Sequence, residues 1–187
     1  MGDNVKTAFA TRTNRRSGRS KVFLADQSGA TAVEFGLVAA PFIALLVGII
    51  QTFLVIFAQQ LLQTVVTQSS RLILTNQAQS ANMTQSGFAQ QVCDQVAILF
   101  NCSGLMVDVE TYTSFAAGDT SMPSLTFNAQ GQVTNTWQYN PGLPGQIVIV
   151  KVMYQWPVFG GPLGFTLSNL SNGNRLLMAT SAFQNEP

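Results

Sequence analysis

Apolar residues run almost unbroken from Phe35 to Ala58, FGLVAAPFIALLVGIIQTFLVIFA, where only Gln51 and Thr52 carry polar side chains. About 20 helical residues cross the hydrocarbon core of a bilayer, so this stretch predicts a membrane-spanning helix. Beyond it the pattern changes. Leu61, Leu62, Val65, Val66, Ser69, Leu72, Ile73 and Asn76 recur at steps of one, three and four, while Gln60, Gln63, Thr67, Gln68 and Arg71 fill the opposite face. That is a helix with one side packed and the other wet. Neither Gly nor Pro occurs between Gly48 and Gly87, which predicts one helix from near Thr31 of roughly 45–50 residues, about 70 Å long. Pro41 lies inside it, where a membrane helix tolerates a kink.

A second, short helix is signalled by Ser86 ahead of GFAQQVCDQVAILF, with Phe88, Val92, Val96 and Leu99 at helical spacing. Strand patterns follow in LMVDVETYTSF (105–115), QIVIVKVMYQW (146–156) and the weaker NRLLMATSAFQ (174–184). Residues 116–145 hold Gly118, Pro123, Gly131, Pro141, Pro144 and Gly145, which predicts a long loop with a hairpin near NAQGQ. WPVFGGPLGF (156–165) reads as a second, apolar loop. The expected fold class is α+β: a long N-terminal helix, membrane-spanning and then amphipathic, with a second short helix and a small antiparallel sheet of three strands packed on its stripe.

Charged residues make up only 9% of the chain, against roughly 25% in a typical soluble domain. Amides and hydroxyls must therefore wet the surface. The net charge of +1 conceals an imbalance: residues 1–29 carry +4, from Lys6, Arg12, Arg15, Arg16, Arg19 and Lys21 against Asp3 and Asp26, and the remainder carries −3. A basic cluster can bind nucleic acid, but one placed just before a long apolar run is the pattern that fixes membrane orientation. It keeps the N-terminus cytoplasmic and exports everything after about residue 60. The expected organisation is a basic cytoplasmic leader (1–29), a transmembrane helix (30–58) and an extracytoplasmic α+β domain (59–187), with the membrane as partner and no nucleic acid.

A cleaved secretory signal has a shorter apolar core and a small-x-small cut site; here the nearest cut, after Ala58, has Ile56 where a small residue belongs. The helix is thus expected to be retained. Export makes the two cysteines, Cys93 and Cys102, a disulfide, whereas in the cytosol they would be thiols. Unbroken helix between them would hold the sulfurs apart, so the second helix must end near Leu99 and fold back through Asn101 and Gly104. The sequence has no histidine, and its carboxylates Asp94, Asp108, Glu110 and Asp119 are scattered. It offers no catalytic constellation, metal pattern or phosphate-cradling loop, so no enzyme activity, cofactor or small-molecule substrate is expected.

One carboxylate needs a separate reason. Glu34 stands at the mouth of the apolar run, where ionised groups are costly. The basic leader, the stretch Gly29-Ala30-Thr31-Ala32-Val33-Glu34-Phe35 and the membrane helix together resemble the processing site of type IV pilin-like proteins. The Glu34–Phe35 pair resembles that of the tight-adherence (Flp/Tad) branch. The AVEF start, the helix reaching RLILTNQAQ, the cysteine pair, the KVMYQW strand and the AFQNEP terminus are similar to TadE-like pseudopilins, the minor pilins of Tad systems. Major Flp pilins are shorter and lack a large exported domain, which favours a minor subunit.

The resemblance implies cleavage by a prepilin peptidase between Gly29 and Ala30, leaving Glu34 as fifth residue of the mature chain. It also implies partners: other pilin subunits and the Tad assembly platform, at the bacterial inner membrane or in the pilus, with a part in pilus assembly, adhesion or surface attachment. Glu34 would pair with the Ala30 amine of a neighbouring subunit, and a misregistered neighbour would leave a buried charge unpaired. Read without the resemblance, Glu34 is a solvated headgroup-level carboxylate near the positive end of the helix. The whole chain is then a signal-anchored extracytoplasmic binding module outside any pilus.

Overall fold

A computed structural model describes residues 28–161 and 164–187. The leader expected over residues 1–29 therefore lies, all but its last two residues, outside the described ones. The chain divides into two units after Leu45. In the first, helix α1 (Ser28–Leu74) begins, and its side chains from Val33 through Phe35, Leu37 and Phe42 to Leu45 stand exposed. By length and composition α1 can cross a membrane.

In the second unit the later part of α1 packs with α2 (Gln77–Ser80), α3 (Gln85–Val96) and a sheet of β1 (Leu105–Tyr112), β2 (Ile147–Trp156) and β3 (Arg175–Gln184). The sheet is antiparallel with order β1-β2-β3. The apolar stripe of α1 is buried at Val55, Ala58, Leu62, Val65, Val66 and Ile73. It meets Phe88, Val92 and Val96 of α3 and the alternate strand residues Val107, Val109, Val148, Val150, Val152, Leu177 and Ala179. Period-2 side chains from the valine-rich β1 and β2 and from Leu177 and Ala179 of β3 present one continuous apolar face, and the 3.6-residue stripe fits against it. Burial of that face is the main stabilising term of the unit.

Helix ends differ from expectation in detail. The cap of α3 is Thr84 rather than Ser86; its hydroxyl accepts from the Gly87 amide at 3.1 Å. The chain offers Thr84 and Ser86 two residues apart, and only Thr84 has its oxygen three residues ahead of a free helical N–H. α1 stops where Asn76 turns left-handed (φ 58°), a conformation asparagine tolerates. Its last carbonyls accept from Glu186 N, at Leu74, and from Gln79 Nε2, at Ile73. α3 ends at Val96, before Leu99, and a short 3₁₀ turn at Cys102–Gly104 brings Cys93 and Cys102 to disulfide distance, with Cα atoms 5.4 Å apart. Closing so short a loop contributes about 2–3 kcal/mol in the chain-entropy picture.

Both outer strands have a free edge, and glutamines meet both. On β3, Gln59 Nε2 donates to the Met178 carbonyl at 2.8 Å. Gln63 donates to the Thr180 carbonyl at 2.9 Å and accepts from the Thr180 amide at 3.3 Å, as a neighbouring strand would. On β1, Gln85 Nε2 donates to the Val107 carbonyl at 2.7 Å, and residues 138–140 bond Val109 on both sides in a short parallel bridge. The long loop also forms the hairpin bridge Phe127–Val133, turned by Gly131 at positive φ. Gln63→Ala removes two edge bonds at once and is expected to lower the stability of the detergent-solubilised chain by about 1–2 kcal/mol. Gln60→Ala, three residues earlier and on the solvent side, is expected to be silent in the same denaturant titration.

Candidate processing and assembly site

Gly29, Ala30, Glu34 and Phe35 all fall in the first turns of α1, and all are exposed. Ala30 and Glu34 are four residues apart, one helical turn, and so share a face. A Cβ built on Gly29 meets nothing within 4 Å. Packing among the described residues therefore does not require glycine there, and helix propensity disfavours it.

In the second unit the face of the sheet turned away from α1 carries the charges. Asp108 and Lys151 are directly paired across β1 and β2, and both are buried. Asp119, from the loop after β1, reaches over that face to Lys151, with Nζ and Oδ2 3.7 Å apart. Gly118 eases the crossing, since a Cβ there would crowd the end of the Ile149 side chain. Asp108 Oδ1 accepts from the Gln138 amide at 2.9 Å. Burial pushes its carboxyl above the usual range; the Gln138 bond and Lys151 oppose this, and Glu110 adds to it. Asp119 is held below its ordinary value by hydrogen bonds from Ser121 and by Lys151. The Tyr112 hydroxyl donates to Glu110, and that bond, with burial, pushes it up to about 12.

Of the carboxylates that looked scattered, the fold thus brings Asp108 and Asp119 to one lysine and leaves Asp94 bonded to Gln90 on α3. The pairing of Asp108 with Lys151 depends on strand register, which no local signal announces. The edge-capping glutamines were likewise invisible, because a glutamine that caps a strand reads the same as one in water.

Residues 29–71 match the family of TadE-like proteins. The match opens at Gly29, covers the apolar run and ends at Arg71 on the amphipathic part of α1. It points to a protein associated with the Tad pilus, and the TadE-like family is a structural, pilus-associated one rather than a known enzyme family. The single N-terminal apolar helix fits a single-pass membrane anchor. Compared with curated proteins and with solved structures, the chain matches none.

The two carboxyls beside Lys151, one buried and one exposed, have opposite consequences for acid stability. Asp108 binds its proton more tightly folded than unfolded, so its contribution falls as pH rises from the ordinary carboxylate value through its raised one. Asp119 is the reverse: its contribution is present above the ordinary value and is lost as pH falls through its lowered one. In thermal unfolding of the solubilised chain between about pH 3 and about pH 7, Asp108→Asn is expected to be neutral or stabilising at the upper end, with the gain vanishing in acid. Asp119→Asn is expected to be slightly destabilising at the upper end, and that deficit also vanishes in acid.

Proposed function

We propose that this protein is a minor pilin, or pseudopilin, of a Tad-type pilus assembly apparatus. It is cut after Gly29 by a prepilin peptidase at the cytoplasmic face of the inner membrane, and it contributes to pilus assembly, adhesion or surface attachment. Residues 30–58 anchor it, and the α+β domain over 59–187 lies outside the cytoplasm, where Cys93 and Cys102 are oxidised. Its partners are the membrane, the peptidase, sister pilins and the assembly platform.

The observation that carries this reading is a coincidence of position. The TadE-like match opens at Gly29, the residue that also begins the Gly-x₄-Glu stretch, and that stretch is an exposed helical start. Cleavage would place a new amine, with pKa near 8 and so largely charged at neutral pH, one turn from Glu34. Within an assembly, a Glu34 carboxylate and a neighbour's Ala30 ammonium satisfy each other, and a wrong stagger leaves one of them buried alone.

Two experiments test it. Mass spectrometry of the protein from cells is expected to find a chain beginning at Ala30, and Gly29→Leu is expected to insert normally but stay uncut. Since a Cβ at 29 meets nothing among the described residues, normal shortening of that variant would remove the assigned cut, and a wild-type chain that keeps its leader would favour a plain anchored module. Glu34→Gln preserves size and removes the charge. Cleavage is expected to be unchanged while cross-linking to sister pilins and piliation fall, and wild-type piliation would retire the pairing role.

A further inference from the structure

Helix α1 is tied at three levels to β3 and the residues just after it: Gln59 to Met178, Gln63 to Thr180, and the Leu74 carbonyl to Glu186. A helix rises about 1.5 Å per residue and a strand about 3.3 Å. Four helix residues therefore match two strand residues, as the first two ties do. Continued backward, the same ladder sets Arg175, where β3 starts, and Trp156, its partner at the end of β2, level with Phe53 of α1. The connection over 157–174 leaves the sheet at that level, where the helix sequence is still the apolar run 35–58.

Burial agrees with this placement. Val158 and Leu167 from that connection pack against the core cluster, whose earliest helix member is Val55. One turn before it, Gln51 and Thr52 are already half-buried. The connection contains no Asp, Glu, Lys or Arg, so no charge would have to be desolvated if it met lipid. Two large rings stand out from it: Phe159 is 74% exposed and Phe165 43%. A backbone bond ties the segments that carry them. The Gly161 amide donates to the Phe165 carbonyl at 2.7 Å, and a Cβ on Gly161 would come within 3.0 Å of that oxygen. Gly164 adopts φ +78°, which a side chain would resist.

We propose that Phe159 and Phe165 make a second membrane contact, seated in the interfacial layer of the bilayer that α1 spans. Interfacial segments carry phenylalanine and similar rings on their buried side and lie about 5–10 Å into the headgroup boundary. The helix still spans with it: residues 35–50 alone give about 24 Å of apolar helix, close to the ~30 Å hydrocarbon core. This contact rests on the anchor reading of α1.

The test uses the full chain reconstituted in vesicles of phosphatidylethanolamine and phosphatidylglycerol, with an environment-sensitive nitrobenzoxadiazole label on single introduced cysteines; the native pair does not react without reductant. Phe159→Cys and Phe165→Cys carry the label at the contact. Leu143→Cys is the control, an exposed apolar residue at the other end of the sheet, where Asn185 bonds its carbonyl beside the end of α1. Phe42→Cys reports insertion of α1. Labels at 159 and 165 are expected to emit at shorter wavelength than the label at 143, and to lose intensity when the vesicles carry a lipid with a nitroxide near its headgroup. Unquenched labels at 159 and 165 beside a blue-shifted label at 42, or equal quenching at 143, would overturn the contact. Emission at 42 as long in wavelength as that of the label in water would remove the anchor itself, and this contact with it.

Discussion

A three-stranded sheet leaves two rows of backbone amides and carbonyls without a strand to bond, and unpaired polar groups at a packed boundary cost about as much as the bonds they lack. The whole C-terminal unit is arranged around that constraint. β3 lies along α1, so its free groups meet side chains at Gln59 and Gln63, where Gln63 donates to and accepts from the same residue as a fourth strand would. β1 meets Gln85 and the 138–140 segment. These bonds fix the helix along the strand, and only with that registration does the stripe from Val55 to Ile73 fall opposite the valines of the sheet. An uncharged side chain with both a donor and an acceptor suits this task, because it satisfies an edge without burying a charge. A chain so poor in ions and so rich in glutamine is understandable on those terms.

The few charges of the unit are treated differently. Lys151 is buried on the far face of the sheet, which needs carboxylates close by, and two are supplied by different means: Asp108 by strand pairing and Asp119 by a loop that crosses where Gly118 lets it pass. One carboxylate is paid for in desolvation and the other, exposed, is not. Their opposite proton affinities follow from burial at Asp108 and from the Ser121 hydrogen bonds at Asp119, since both face the same ammonium.

Much of this was legible in the sequence, for definable reasons. The strands expected at 105–115, 146–156 and 174–184 lie at Leu105–Tyr112, Ile147–Trp156 and Arg175–Gln184, because alternation and β-branching are local properties that survive packing. The amphipathic stripe and the fold-back before Cys102 were legible on the same footing, and so was the TadE-like resemblance, carried by a short run at fixed spacing. What could not be read depends on distant parts of the chain. More than thirty residues separate β1 from β2, so nothing local says that residue 108 will face residue 151. The level at which the sheet stands along α1 is equally non-local, and with it the half-burial of Gln51 and Thr52 inside an apolar run.

The ties of α1 to β3 and the residues just after it also have a consequence in time. Gln59 and Met178 are 119 residues apart in the chain, Gln63 and Thr180 are 117 apart, and Asn76 and Glu186 are 110 apart. Synthesis runs from the N-terminus, so the amphipathic half of α1 exists well before the strand that covers it. Contacts of such long sequence separation form slowly, because the intervening loop must close before they give any return. Until β3 arrives the stripe is bare and the sheet has an open side, which is the state in which chains associate wrongly. The short disulfide loop and α3, whose contacts are local, can form first and shield part of the stripe. The order of the elements along the chain therefore makes β3 the step that commits the unit to its final form.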